Sequence, residues 1–173
     1  MTMILPRLVV FDLDACCWFP EMYMLGSGSP FRVTDDPDVV VSSGGERVRL
    51  YSGVRDAWHE LRAAGTPVGV ASRCDVPSWA CELLRTYRVG DTTMADVAGD
   101  LVEIYKGSKK KHFKALGKKT EIPFEDMLFF DDDPWNISEV SQLGVTCVLT
   151  PEGITRAVYE KAMADFRRRR GGG

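Results

Sequence analysis

The chain has 173 residues, of which 45% are hydrophobic and 27% are charged, and its formal net charge is −3. This composition is typical of folded globular proteins and excludes an intrinsically disordered chain. The slight excess of acidic residues argues against a general nucleic-acid-binding protein.

The first predicted element is a buried strand that ends in two aspartates. Leu8–Phe11 are four apolar residues in a row, as in a parallel-sheet strand that is covered on both faces. Asp12 and Asp14 follow, and their i, i+2 spacing leaves both side chains on the same side. Ligands of open α/β sheets bind just beyond this end of a strand. The apolar run is too short for a signal peptide or a membrane span, and we expect neither.

A small antiparallel insertion is predicted next. Two β-prone runs, Val39–Val41 and residues 48–51, flank a Gly-Gly turn, which is typical of a hairpin. We expect residues 18–51 to form a flap over the two aspartates. Deleting residues 27–45 should then alter the substrate range and leave the fold intact.

The rest of the chain alternates between helical and strand patterns, which predicts βαβ units. The predicted helices cover residues 53–64, 75–87 (with Asp75 as N-cap), 109–119, 137–143 and 154–168, and the predicted buried strands cover residues 67–71, 100–105, 127–130 and 145–149. Residues 89–98 favour neither structure.

The predicted fold class is therefore α/β. We expect a three-layer, Rossmann-like parallel sheet with helices on both faces, the small β-hairpin flap and no large cap domain. Residues 1–169 should form a single domain. The arginine run at 167–170 precedes three terminal glycines, so a frayed, solvated end is expected there, with residues 170–173 as a flexible tail.

Polar residues follow three of the predicted strands. The three sets are Asp12 and Asp14, then Ser72 and Arg73, then three aspartates at positions 131–133. Parallel strands end at one edge of the sheet, so these side chains should meet in one crevice. Several carboxylates in a crevice need a cation, and oxygen ligands favour a hard ion such as Mg²⁺. A magnesium ion beside Ser, Arg and Lys side chains predicts a phosphate site.

Four segments resemble the motifs of a known superfamily. Residues 9–14 (Val-Val-Phe-Asp-Leu-Asp) resemble motif I of the haloacid dehalogenase (HAD-like) phosphohydrolases, Ser72 motif II, Lys109 motif III and residues 129–132 motif IV. Shorter strings, among them residues 48–51, 71–73, 107–109 and 143–147, resemble the magnesium-dependent phosphatase family. The resemblance implies a Mg²⁺-dependent phosphomonoester hydrolase that forms an aspartyl-phosphate. Phosphoproteins (phosphotyrosine included) and phosphosugars are the implied substrates.

The resemblance also implies a catalytic role for five residues. Asp12 is the nucleophile, and its carboxylate is ionised without a separate base. Asp14 protonates the leaving oxygen and then activates the hydrolytic water. Ser72 binds a phosphoryl oxygen, Arg73 adds charge there or contacts the substrate, and Lys109 balances the charge on Asp12 and the phosphoryl group.

The implied magnesium ligands come from motifs I and IV. They are a carboxylate oxygen of Asp12, the backbone carbonyl of Asp14, and either Asp131 or Asp132, with water completing the shell. Asn136 either supports motif IV or caps the following helix.

One position departs from the superfamily pattern. A threonine usually stands two residues after the second aspartate, and here that residue is Cys16. A thiol forms weaker hydrogen bonds than a hydroxyl, so the loop after Asp14 should be held less firmly. We expect Cys16 to be a small buried hydrophobe.

The remaining thiols and imidazoles do not indicate a metal site. The five cysteines form no Cys-x-x-Cys pair and are odd in number, which favours reduced thiols inside the cell. We therefore expect a cytoplasmic protein. His59 and His112 are expected at the surface or the core edge.

Other function classes fit the sequence less well. A cysteine-dependent phosphatase needs five residues between its Cys and Arg, a spacing absent here. A phospho-acceptor receiver domain uses similar groups in another order, and a stable phosphoryl group on Asp12 would favour it. An RNA-binding module would use the lysines of residues 106–119, which also suit a solvated helix face.

We expect a monomer or weak dimer with a phosphorylated protein or small-molecule phosphate as partner, and neither nucleic acid nor membrane.

Overall fold

The computed structural model describes residues 2–172, and its central feature is a five-stranded parallel sheet. The strands are β1 (Leu8–Phe11), β2 (Trp18–Phe19), β3 (Arg32–Val33), β4 (Val39–Val41), β5 (Arg47–Leu50), β6 (Val68–Ser72), β7 (Arg88–Val89), β8 (Thr92–Thr93), β9 (Val102–Ile104), β10 (Met127–Asp131) and β11 (Thr146–Leu149). The helices are α1 (Val54–Ala63), α2 (Pro77–Thr86), α3 (Met94–Ala98), α4 (Lys109–Thr120), α5 (Pro134–Ser141) and α6 (Arg156–Gly171).

The sheet has the order β11-β10-β1-β6-β9, and all its neighbours are parallel. Its central strand, β1, is covered on both faces. Val9 and Phe11 belong to one buried cluster, which includes Trp58 of α1. Val10 belongs to a second cluster, which includes Phe113 of α4. The predicted three-layer α/β fold is therefore confirmed.

The insertion after β1 is a four-stranded antiparallel sheet with the order β2-β5-β4-β3. The predicted β4–β5 hairpin is present, and β2 and β3 extend it on either side. The insertion packs on α2 and its end: the Phe31 N–H donates to Glu82 at 2.7 Å, and the Tyr87 hydroxyl donates to the Val48 carbonyl at 2.6 Å. The small sheet is thus joined to the main core.

Deleting residues 27–45 is now expected to destabilise the protein strongly, in contrast to the prediction from sequence. Phe31, Val39 and Val40 are all buried, and Phe31 and Val40 belong to the main core cluster. Each such side chain stabilises a fold by about 1.5–3 kcal/mol, so the loss is a large share of a typical total of about 5–15 kcal/mol. Urea unfolding measures the change.

The matched control for this deletion inserts two glycines between Gly44 and Gly45 at the hairpin tip. This variant keeps every buried residue and lengthens only an exposed turn, which costs little. A deletion variant that unfolds cooperatively at the parent's urea midpoint would show that the insertion is dispensable for folding.

Several element ends differ from their predictions. Helix α2 begins at Pro77, and its N-cap Val76 supplies no side-chain hydrogen bond, so Asp75 is not the cap. Instead, Asp75 forms an ion pair with Lys106 at 2.5 Å. Helix α5 begins three residues earlier than predicted because the Asp133 carboxylate accepts a hydrogen bond from the Trp135 N–H.

The ambiguous region and the C-terminal arginines also form regular structure. Residues 89–98 contribute to the short β7–β8 hairpin and to α3, whose start is closed by a capping box between Thr93 and Asp96. Helix α6 continues through the arginine run to Gly171, where a frayed end was expected. The guanidinium of Arg170 forms an ion pair with Asp126 at 2.7 Å. Within residues 2–172, no helix is both long and apolar enough to cross a membrane.

Candidate active site

A polar cavity of about 280 Å³ lies where β1, β6 and β10 end. Its lining residues are Asp12, Asp14, Glu21, Ser72, Arg73, Cys74, Asp75, Lys106, Lys109, Asp132, Asp133 and Asn136. The predicted convergence of three strand ends is therefore present. Of the predicted flap, residues 18–51, Glu21 lines the cavity, and the β4–β5 hairpin contributes no lining residue. The expectation that the hairpin lies over the two aspartates is therefore wrong.

Three carboxylates form the most buried part of the site. Oxygens of Asp12, Asp131 and Asp132 all lie within 4.8 Å of one another. Burial raises the pKa of Asp12 to about 7, against the opposing charge of Lys109. Burial and the charge of Asp12 raise the pKa of Asp131 to about 6. Such crowding of carboxylates favours a cation at this point.

Lys109 is the buried cation of the cluster. Its Nζ lies 2.9 Å from Asp12 Oδ1 and 3.0 Å from Asp131 Oδ2, and it donates to the Ala71 carbonyl at 2.5 Å. Burial favours the neutral amine, but the two carboxylates outweigh it and hold the pKa of Lys109 above its usual range. The first residue of α4 thus joins the ends of β1, β6 and β10.

Asp14 lines the same cavity, but its carboxylate is not part of the three-acid cluster. Its Oδ1 accepts a hydrogen bond from Trp18 Nε1 at 2.8 Å, and its Oδ2 accepts one from the Met22 N–H at 3.1 Å. The chain reverses at Ala15, which has a φ of 62°. Burial raises the pKa of Asp14, although both hydrogen bonds oppose the shift. The two aspartates of the first strand therefore have different surroundings, as separate roles require.

The end of β6 supplies neutral and cationic groups. Ser72 is 1% exposed, and its Oγ accepts a hydrogen bond from the Cys74 N–H at 3.1 Å. Arg73 is exposed at the cavity wall. The predicted site residues Ser72 and Arg73 thus lie beside Asp12 and Lys109 in the same cavity.

His112 is fully buried, so its predicted place at the surface or core edge is wrong. Its Nε2 lies 3.0 Å from the Ser72 carbonyl and 2.9 Å from the Tyr105 carbonyl, and its Nδ1 lies 3.2 Å from the Ser108 carbonyl. The ring therefore ties the end of β6 to the start of α4. The inward spacing of α4, which buries Lys109, His112, Phe113 and Leu116, is the sequence signal that could have placed it.

Cys16 is buried as predicted, and it has a partner that the sequence did not indicate. Its Sγ lies 3.6 Å from the Phe130 carbonyl and accepts a hydrogen bond from Thr150 Oγ1 at 3.4 Å. Burial holds the pKa of this thiol well above its usual range. The hydroxyl expected at position 16 is thus supplied from beyond β11. All five cysteines of the described chain are free.

The lysines of α4 and the preceding loop mostly contact neighbouring elements. Lys110 donates to Gln142 at 2.5 Å, Lys119 lies 2.9 Å from Glu103, and Lys111 lies over the Tyr105 ring. This arrangement is typical of a solvent-exposed helix face whose lysines form hydrogen bonds and ion pairs with neighbouring elements.

The donor set of the site fits a hard divalent cation. The three carboxylates offer oxygens only, which is the ligand type of Mg²⁺. Asn136 is buried beside them: its Nδ2 donates to Asp131 Oδ2 at 3.1 Å, whereas its Oδ1 has no partner among the described residues. A buried amide oxygen without a partner is costly, and a hydrated cation in the cavity would satisfy it.

The chain is similar to known phosphatases along most of its length. The acid phosphatase family model matches residues 4–169. Magnesium-dependent phosphatase 1 of Homo sapiens is 37% identical over 164 residues, which cover 94% of this chain and 88% of the relative. A HAD-like hydrolase superfamily protein of Schizosaccharomyces pombe is 34% identical over 145 residues, 82% of this chain and 83% of the relative.

Solved structures share the fold. The N-terminal part of a Bacteroides fragilis protein, containing a phosphatase domain and complexed with Mg, matches with a TM-score of 0.60 and 17% identity over 94% of this chain and 40% of that one. The 3-deoxy-D-manno-octulosonate 8-phosphate phosphatase of Yersinia pestis matches with a TM-score of 0.54 and 14% identity, over 94% of this chain and 80% of that one. At these identities the likeness shows the fold alone.

Proposed function

Because the chain belongs to the acid phosphatase family of HAD-like hydrolases, we propose that it is a Mg²⁺-dependent phosphomonoester hydrolase acting through an aspartyl-phosphate intermediate. One observation carries this proposal. Asp12 is a buried carboxylate at the end of the central strand, paired with the buried Lys109 and facing the cavity. A carboxylate held in this way is suited to attack the phosphorus atom of a phosphate ester bound in the cavity.

We assign the metal to the side of the cavity that carries Asp132. Asp132 lines the cavity, whereas Asp131 is fully buried and is bonded to Lys109 and Asn136. The proposed ligands are a carboxylate oxygen of Asp12, the backbone carbonyl of Asp14, and Asp132, with Asp131 orienting Lys109 behind them. When bound, the ion neutralises phosphoryl oxygens and holds one of them in place.

The proposed reaction has two proton-balanced steps. In the first, an Asp12 oxygen forms a bond to phosphorus while the ester P–O bond breaks, and Asp14 gives its proton to the leaving oxygen. In the second, Asp14 takes a proton from water as that water attacks phosphorus, and the P–O bond to Asp12 breaks. The raised pKa of Asp14, caused by burial, helps it to hold the proton that the first step needs.

The phosphoryl oxygens need donors that are already in place. Ser72 lines the cavity, and its Oγ accepts a hydrogen bond from the Cys74 N–H, which holds it in place. Lys109 supplies a buried positive charge, and Arg73 supplies an exposed one. Such preorganised groups stabilise the charge that develops on the transferred group.

The surroundings of the cavity support a phosphorylated side chain or sugar as substrate. Tyr23, which follows the lining residue Glu21 by two positions, is 62% exposed, and Trp135, between Asp133 and Asn136, is 67% exposed. Exposed rings can stack on a phosphotyrosine ring or a sugar face. We propose phosphoprotein, phosphotyrosine included, and phosphosugar substrates for a monomer or weak dimer in the cytoplasm.

Hydrolysis is expected to depend on Mg²⁺ and on Asp132. Chelation should abolish release of phosphate from 4-nitrophenyl phosphate, a phosphotyrosyl peptide and a hexose phosphate, and added Mg²⁺ should restore it. Asp132→Asn removes a charged ligand and should raise the Mg²⁺ concentration needed for half-maximal rate by about 10–100-fold. A Mg²⁺ titration of the initial rate measures this shift.

The exposed Asp35 provides the control, since Asp35→Asn removes the same charge away from the site and should leave the titration unchanged. Turnover that persists after chelation would refute the metal dependence. A phosphoryl group that remains on Asp12 without turnover would favour a phospho-acceptor instead.

A further inference from the structure

Trp18 contributes a single polar group to the core, and that group contacts Asp14. The indole is fully buried, and its Nε1 donates to Asp14 Oδ1 at 2.8 Å. The backbone closes the same turn, since the Ala15 N–H donates to the Trp18 carbonyl at 2.8 Å. A buried indole N–H needs a partner, and here the partner is the carboxylate with the proposed acid/base role.

The ring of Trp18 has little freedom to turn. It stacks on Tyr87, with ring centroids 6.0 Å apart and planes 27° apart, and the Tyr87 hydroxyl is itself bonded to the Val48 carbonyl. Trp18 also pairs with Leu50 across the β2–β5 ladder. The direction of its N–H is therefore set by packing, and the N–H sets the direction of the Asp14 carboxylate.

We propose that Trp18 is a positioning residue that keeps Asp14 available for proton transfer. Asp12, Asp131 and Asp132 gather their oxygens in one cluster, and the Asp14 carboxylate is not part of it. Instead, both oxygens of that carboxylate are bonded to residues of the insertion, Trp18 and Met22, while Asp14 still lines the cavity. Each of its oxygens keeps a second lone pair, so the acid can still carry the proton that passes to the leaving oxygen.

This inference rests on the proposed function and also gives the antiparallel insertion a catalytic task. The insertion contributes only Glu21 to the lining of the cavity, yet its first strand, β2, carries Trp18, which orients the acid/base residue. The effect on kcat/KM should depend on the leaving group, because this parameter reports the first step, in which assistance by an acid matters most when the leaving oxygen is strongly basic.

The test replaces Trp18 by Phe, which keeps a buried ring and removes the N–H. We compare kcat/KM for 4-nitrophenyl phosphate, phenyl phosphate and an alkyl phosphate, which leave as increasingly basic oxyanions. Trp18→Phe should lower kcat/KM about tenfold more for the alkyl ester than for the nitrophenyl ester. In an Asp14→Asn background the substitution should have little further effect, because its target is gone.

Tyr87→Phe is the matched structural control. It removes the hydroxyl bond to Val48 and keeps both the ring that stacks on Trp18 and the Trp18 N–H. It should therefore lower thermal stability without any dependence on the leaving group. If Trp18→Phe does not fold, 3-benzothienylalanine at position 18 retains the bicyclic ring without the N–H.

The outcomes separate the two proposals. A parent protein that hydrolyses none of the esters refutes the proposed function. An active parent in which Trp18→Phe lowers all three rates equally, or lowers them further in the Asp14→Asn background, refutes the positioning role alone.

Discussion

Asp12→Asn is expected to abolish turnover, with kcat for 4-nitrophenyl phosphate falling by about 10⁴-fold or more. The amide has nearly the shape of the carboxylate but cannot act as the nucleophile that accepts the phosphoryl group. Lys109 and Asp131 keep their mutual contact at 3.0 Å, so the variant should remain folded. Steady-state kinetics measure the loss, and mass spectrometry of rapidly quenched parent enzyme should find the added phosphoryl group on Asp12.

Asp131→Asn distinguishes loss of the nucleophile from loss of charge. Asp131 faces the same lysine as Asp12 does, and its substitution removes the same charge from the same cluster. We expect a smaller loss of kcat for Asp131→Asn than for Asp12→Asn. Equal losses, or phosphoryl transfer that survives Asp12→Asn, would mean that Asp12 is not the acceptor.

The central part of the fold follows from local sequence patterns. Leu8–Phe11 is apolar at every position because both faces of β1 are covered by helices, and this coverage leaves a clear signal in one short segment. The paired aspartates, the serine after β6 and the acids after β10 were likewise recognisable, since parallel strands bring their ends to one edge. The polar residues that directly follow each strand in the sequence were enough to predict which side chains meet at the candidate site.

The difference in burial between Asp131 and Asp132 could not be predicted from the sequence. It depends on the register of β10, which extends one residue further than predicted and pairs Asp131 with Leu149 of β11. The ladder therefore buries Asp131 completely and leaves Asp132 at the cavity. Neighbouring identical residues carry no local signal that separates these positions.

The residues that form hydrogen bonds to the site residues and their neighbours were missed for a related reason. His112, Trp18 and Thr150 act through contacts with residues distant in sequence or through a turn whose shape is not visible in the sequence. The insertion was misjudged in the same way, because its packing on α2 depends on contacts such as that between Phe31 and Glu82. Such long-range contacts are decided by tertiary packing and not by local preference.

Lys109→Met is expected to destabilise the fold as well as to inactivate the enzyme. Lys109 is 0% exposed and lies within 3.0 Å of two carboxylates. Removing one partner of a buried ion pair leaves uncompensated charge, which costs about 3–5 kcal/mol. Urea unfolding in the presence of a chelator should show this loss. Lys114→Met is the control, since Lys114 is an exposed lysine of the same helix and should change the free energy of unfolding little.

The deficit of Lys109→Met should shrink as the pH is lowered from about 8 to about 5. Burial raises the pKa of Asp12 to about 7 and that of Asp131 to about 6 even beside the lysine, and loss of the lysine raises both further. A carboxyl whose pKa is higher in the folded protein than in the unfolded chain binds more protons when folded, so folding gains stability as the pH falls through the folded-state pKa. If the loss of unfolding free energy stays constant over this range, or equals the effect of Lys114→Met, Lys109 does not stabilise the charged forms of the two buried carboxylates.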